Sequence, residues 1–140
     1  MGRLTHLLDT NIVSEPTREN PAPRVIEQLK AHGQRCCTCA PVLHELQYGI
    51  SRLPTGQRRA SLEDYLARLL AAPLEVLPYD REAALWHARA RATLEAQGRR
   101  PAFVDGQIAA VCATNDLVLV TRNSRDFEAF PGLTVENWFE

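Results

Sequence analysis

Residues 102–121, AFVDGQIAAVCATNDLVLVT, set a helix-period run directly against an apolar strand. In the first part Val104, Ile108 and Val111 recur at the spacing of one helical face, and Pro101 suits the first turn of that helix. In the second part LVLVT, at 117–121, is the clearest strand in the chain. A helix closed immediately by a strand is half of an α/β unit. The same alternation recurs on either side of it.

Toward the N-terminus, REAALWHARARATLEAQG reads as a helix capped by Asp80 and ended by Gly98, and EVLP before it as a short strand. LEDYLARLLAAP is a helix that Ser61 and Asp64 would open as a capping box, with PTGQRR before it as a turn or loop. Pro41 suits the first turn of a further helix, whose apolar stripe is Val42, Leu43, Leu46, Ile50 and Leu53. RCCTC, VIEQLKAHG with its capping Gly33, and THLLDT complete the pattern as strand, helix and buried strand. Toward the C-terminus, LTVEN supplies a final strand. Strands and helices that alternate from end to end predict a three-layer α/β/α sandwich with a central, mostly parallel sheet. At 140 residues one domain, 1–140, accommodates the whole pattern.

An apolar fraction of 45% and a charged fraction of 24% are those of an ordinary globular protein. No apolar run reaches the ~20 residues of a membrane span, and MGRLTHLLDTN has too short an apolar stretch for a signal peptide, so a cytoplasmic location is expected. A net charge of −1 excludes a globally basic nucleic-acid binder and confines any phosphate binding to local patches. Arg58 with Arg59, Arg89 with Arg91, Arg99 with Arg100, and Arg122 with Arg125 are the candidates, most of them expected to be solvated faces. Of four cysteines, Cys36, Cys37 and Cys39 crowd one segment, which frames no disulfide scaffold. The spacing of Cys36 and Cys39 lacks the second pair that a zinc site needs, so they are read as small apolar residues of a core strand.

Ligands of open parallel sheets sit beyond the carboxyl ends of the strands, and acidic residues collect at those ends here. Asp9 follows the first strand in LLDTN, where it serves either as a helix cap or Asx turn with Thr10 and Asn11, or as a charge that a ligand uses. Glu45 projects ~100° from the centre of its helix stripe, at the border of core and solvent. Gly49, one turn on, suggests close approach of a backbone or ligand beside it. Asp105 lies only ~70° off its apolar stripe, with Gly106 next to it and Ala109 one turn later leaving space. After the last strong strand, Asn123 and Asp126 reach the same end of the sheet, although Asn, Ser and Asp are also ordinary turn residues.

No one of these sites is specific, but LLDTNIVSE, ELQYG, DGQIAA and VTRNSRDF occur together in one order. In that order and spacing the chain resembles PIN domains, and among them the VapC-type toxins of toxin–antitoxin pairs, FitB-like branch, from about Leu7 to Trp138. The resemblance implies a ribonuclease dependent on Mg2+ or Mn2+, with Asp9, Glu45 and Asp105 at three of the family's acidic positions. It also implies a homodimer and a small antitoxin partner, in a higher assembly or not. The fourth position departs from the family: Asn123 stands where many members have an acid, and Asp126 follows three residues later.

Magnesium takes oxygen ligands and keeps several waters, so one or two direct carboxylates suffice. Without a cation, two carboxylates ~5 Å apart repel by ~3 kcal/mol at an effective dielectric of ~20, a liability that metal binding relieves. The expected roles are direct ligation by Asp9 and Asp105, ligation or water positioning by Glu45, and support from Asn123 or Asp126, with Thr10 and Asn11 holding Asp9. His44, beside Glu45, is a weak candidate for a base. Two rivals remain: a catalytically weak module that binds RNA or protein, for which Asn123 speaks, and a phosphatase forming an aspartyl-phosphate at Asp9, against which Asn11 speaks.

Overall fold

In the computed structural model, which describes residues 3–140, β1 (His6–Leu8) is fully buried and ends at Asp9. The short helix α1 (Thr10–Val13) follows, then α2 (Pro23–His32), which Gly33 closes with φ 50°. β2 (Cys36–Cys39) leads straight into α3 (Ala40–Ser51) with Pro41 in its first turn. Next come α4 (Gln57–Ala71), β3 (Glu75–Leu77), and α5 (Arg81–Ala96), capped by Asp80, whose carboxylate accepts the Ala83 N–H at 3.0 Å. α6 (Phe103–Thr114), β4 (Val118–Val120), a 3-10 turn at Ser124–Phe127 and β5 (Thr134–Glu136) complete the chain. Met1 and Gly2, which begin the expected 1–140 domain and the stretch read against export, lie outside the described residues.

The five strands run in the order β3-β2-β1-β4-β5 and every neighbouring pair is parallel, so the sheet expected to be mostly parallel is wholly so. Helices cover both faces, as a parallel sheet requires. On one face Leu8 and Cys36 meet Leu29 of α2 and Leu69 of α4, and on the other Cys37 and Cys39 lie near Cys112 of α6. All four cysteines are free and buried. Burial pushes the Cys36 thiol up to about 11 and the Cys37 and Cys39 thiols up to about 12, which suits inert core residues rather than redox or metal-binding ones. No helix among the described residues is long and apolar enough to cross a membrane.

Two expected helix starts are corrected. Ser61 does not open a helix, because α4 begins earlier, at Gln57 after Gly56. Arg59 draws the QRR turn into it by pairing with Glu63 at 3.4 Å and donating to the Leu53 carbonyl at 3.2 Å. Pro101 likewise stands before α6 rather than in it, since Ala102 keeps an extended ψ of 141°.

The strand order positions the site. From β1 the chain winds outward through β2 and β3, then returns to place β4 on the other side of β1. Winding therefore reverses between β1 and β4, and the crevice beyond their carboxyl ends is where such sheets bind ligands. Asp9 and Thr121 are the residues that leave the sheet there, held side by side by the Asp9 N–H donating to the Val120 carbonyl at 2.9 Å.

Candidate active site

Asp9 is 7% exposed, and both of its carboxylate oxygens have donors. Oδ1 accepts the Thr10 N–H at 2.7 Å, which makes Asp9 the N-cap of α1, and Oδ2 accepts the Thr121 hydroxyl at 2.7 Å. The cap reading of this residue therefore holds, and the second oxygen is turned to the first residue beyond β4. Burial raises its pKa, the hydrogen bonds from Thr121 and Thr10 lower it, and the nearby charges of Glu45 and Asp126 raise it again.

Thr121 is fully buried, yet in the sequence it reads only as the end of a strand. It holds the crevice together. Its oxygen donates to Asp9 and accepts the Asn123 backbone N–H at 3.1 Å and the Asn11 side-chain amide at 3.4 Å. The Asn11 carbonyl oxygen in turn accepts the Arg122 N–H at 3.0 Å. Asn11 thus supports Asp9 through the β4 loop and not by a direct bond.

Asp105 sits in the first turn of α6, half-buried, and its pKa is pushed up to about 6. Burial is the main cause, followed by the negative charges of Asp9, Asp126 and Glu45. Four carboxylates from four parts of the chain therefore share one field: Asp9 after β1, Glu45 on α3, Asp105 on α6 and Asp126 in the 3-10 turn. Among the described residues no three His, Cys, Asp or Glu side chains converge closely enough to cage an ion. The donor set nonetheless fits a hard divalent cation, which needs one or two direct carboxylates and otherwise keeps its waters.

The remaining candidates separate. Asn123 caps the 3-10 turn and serves Thr121 through its backbone N–H, with its side chain exposed, whereas Asp126 contributes its charge to the cluster. Asp126 lines one cleft with Asp105. His44 is exposed and lies edge-on to Tyr48 at 6.2 Å. Apart from its own stretch of helix, no described atom lies within 4 Å of where a Cβ on Gly49 would stand. That glycine instead opens a groove of about 470 Å³ lined by Glu45 and Leu46 of α3 and by Tyr65 and Leu66 of α4, with Arg18 and Arg58 also on its wall. Gly106 is the tightly packed one. A Cβ there would overlap the imidazole of His87 on α5.

Comparison with known proteins gives a consistent result. A family model described as PIN domain matches residues 6–133. The chain is 33% identical over 136 residues to the tRNA(fMet)-specific endonuclease VapC of Salmonella typhimurium, covering 96% of this chain and 98% of that one. It is 30% identical over 138 residues to Toxin FitB of Neisseria gonorrhoeae, covering 96% and 99%. Among solved structures, FitAcB from Neisseria gonorrhoeae superposes with a TM-score of 0.88 at 29% identity over 97% of this chain and 99% of that one. DNA-bound VapBC from Salmonella typhimurium superposes with a TM-score of 0.80 at 33% identity, over 96% and 98%.

Proposed function

The chain belongs to the PIN domain family, and from that premise we propose that it is the toxin of a toxin–antitoxin pair, a divalent-metal-dependent ribonuclease. The observation that carries the reading is that Asp9 leaves the sheet at its switch point while Asp105 and Asp126 line one cleft, with Glu45 near enough to act on the charge of both Asp9 and Asp105. A magnesium or manganese ion, when bound, neutralises charge that develops on the phosphate and acidifies water. Asp9 and Asp105 are the residues that would hold it, with Glu45 and Asp126 orienting water around it.

Hydrolysis forms a bond from water oxygen to phosphorus as the bond to the leaving sugar oxygen breaks. The protein contributes placement and charge to this step rather than a nucleophile of its own. Thr121 and the Thr10 N–H fix both oxygens of Asp9, so its lone pairs meet the crevice in one orientation. Without a metal the Asp105 carboxyl is pushed up to about 6, so an ion held there would displace its proton. Position 11, where the phosphatase reading needs a second acid, is an amide whose oxygen accepts the Arg122 N–H, which favours hydrolysis over that reading.

The partners follow from the same family. Relatives at 27–33% identity are seen as FitAB and VapBC complexes, some on DNA, and we assign this chain a cognate antitoxin and a homodimeric toxin core. Because the Salmonella relative is named for tRNA(fMet), transfer RNA is the first substrate to offer. The test is cleavage of transfer RNA by purified protein in Mg2+ or Mn2+. Cleavage that stops with a chelator and with Asp9→Asn is expected. Binding without cleavage in every metal would instead establish the non-catalytic module.

A further inference from the structure

Asp105 and Asp126 open on one side into a cleft of about 430 Å³ whose walls also carry Arg99, Arg100 and Arg125. Arg99 and Arg100 stand in the loop between α5 and α6, and Arg125 in the 3-10 turn beside Asp126. All three are exposed, and the ion pairs found among the described residues involve none of them. The loop is not slack: the Arg99 N–H donates to the Leu94 carbonyl at 2.8 Å, and the Pro101 ring stiffens the entry to α6. Three exposed cations beside two carboxylates, and not paired with them, leave this cleft open to an external anion.

A second cavity, of about 240 Å³, continues from this cleft, sharing Arg100, Pro101 and Ala102 and ending on Phe103. Phe103 is 53% exposed at the start of α6. Its ring packs against His87 at 4.8 Å, and the Arg91 guanidinium, itself paired with Glu95 at 3.2 Å on the same cavity wall, stands 5.2 Å from it. Exposed arginines leading to an exposed aromatic ring are a combination that binds single strands of nucleic acid, because each nucleotide offers both a phosphate and a flat face. An acidic polypeptide would use the arginines but makes no use of the ring.

We propose that single-stranded RNA leaves the carboxylate site along this track, its backbone phosphates on Arg125, Arg99 and Arg100 and one base stacked on Phe103. This rests on the ribonuclease reading and adds the direction in which substrate extends from the site. Neither the family's acidic positions nor the groove beside Glu45 contains any of these four residues.

The test is fluorescence anisotropy of an end-labelled single-stranded RNA oligonucleotide with EDTA present, so that binding is read without cleavage. Three phosphate contacts contribute about 2 to the slope of log K against log salt. Arg99→Gln, Arg100→Gln and Arg125→Gln together are expected to remove that much, and Phe103→Ala to weaken binding roughly tenfold with the slope unchanged. A wild-type slope in the triple variant, or wild-type affinity in Phe103→Ala, overturns the track. So does displacement of the RNA by poly-glutamate as readily as by unlabelled single strand, which would reassign the surface to an acidic protein. A changed oligomeric state in Phe103→Ala by size-exclusion chromatography would place the ring between two copies of the chain and overturn the stacking role. Failure of the ribonuclease reading looks different: the wild type would bind RNA with the expected slope and yet leave it intact in Mg2+ and Mn2+.

Discussion

The imidazole of His87 fills the space that a side chain on Gly106 would need. This contact couples α5 to α6 one residue from Asp105, and it is anchored at its other end, where His87 Nδ1 pairs with the Tyr79 hydroxyl at 2.9 Å. Gly106 is therefore a packing requirement for the placement of Asp105 rather than a weakness in the helix. Gly106→Ala should destabilise the protein by ~1–3 kcal/mol, the usual penalty for overpacking. The measurement is urea unfolding as a double-mutant cycle: His87→Ala should cost less in the Gly106→Ala background than in the wild type, and strict additivity would sink the proposed contact.

Thr121→Val removes one donor to Asp9 and the acceptor for the Asn123 N–H while keeping the shape of the side chain. The loss should be ~1–3 kcal/mol, since a buried carboxylate oxygen is left without a partner. The Thr121 bond lowers the Asp9 pKa, so its removal should raise that pKa further. Carboxyl titration by NMR would show this directly, and an unchanged Asp9 midpoint would mean that the hydroxyl is not a donor to it.

Much of this is legible in the sequence, because long periodic segments report their own burial. LVLVT, RCCTC and the helices ended by Gly33 and Gly98 stand where the apolar pattern puts them. The α1 turn is four residues long, too short to leave any periodicity, so the sequence offers Asp9 as a cap or as a charge for a ligand and does not show that a helix starts on it. Gly49 and Gly106 look alike in a helix pattern, yet only one meets a neighbour, and that neighbour, His87, is 19 residues away on another helix. Thr121 carries no signal in one dimension because its role depends on β4 lying next to β1, a pairing 112 residues apart in the chain.

The cysteines give a third test. Thiols whose pKa is pushed to about 11 or 12 by burial carry almost no thiolate at pH 8. Native protein should leave a thiol-specific disulfide reagent unreacted over minutes, and all four groups should titrate at once in denaturant. Fast labelling of Cys36 and Cys39 in the native state would revive a redox or metal role for that pair.

Asp105 sets the pH dependence of the metal-free protein. Its folded-state pKa, about 6, lies above the ordinary value of 3.8, so the native state holds the proton more tightly than the unfolded chain does. The stabilisation that this affinity supplies is complete below pH 3.8, is lost as pH rises toward 6, and is absent above it. Asp105→Asn, which never acquires the charge, should therefore gain in melting temperature relative to wild type between pH 4 and about 6, with the difference constant at higher pH. The sign reverses when magnesium is supplied above pH 6, because the ionised cluster then has a ligand that binds only the folded form. Wild-type protein should be stabilised by the ion under those conditions and Asp105→Asn much less. A difference between the two proteins that is independent of pH in EDTA would show that Asp105 titrates normally, and with it the field of the four carboxylates would lose its main support.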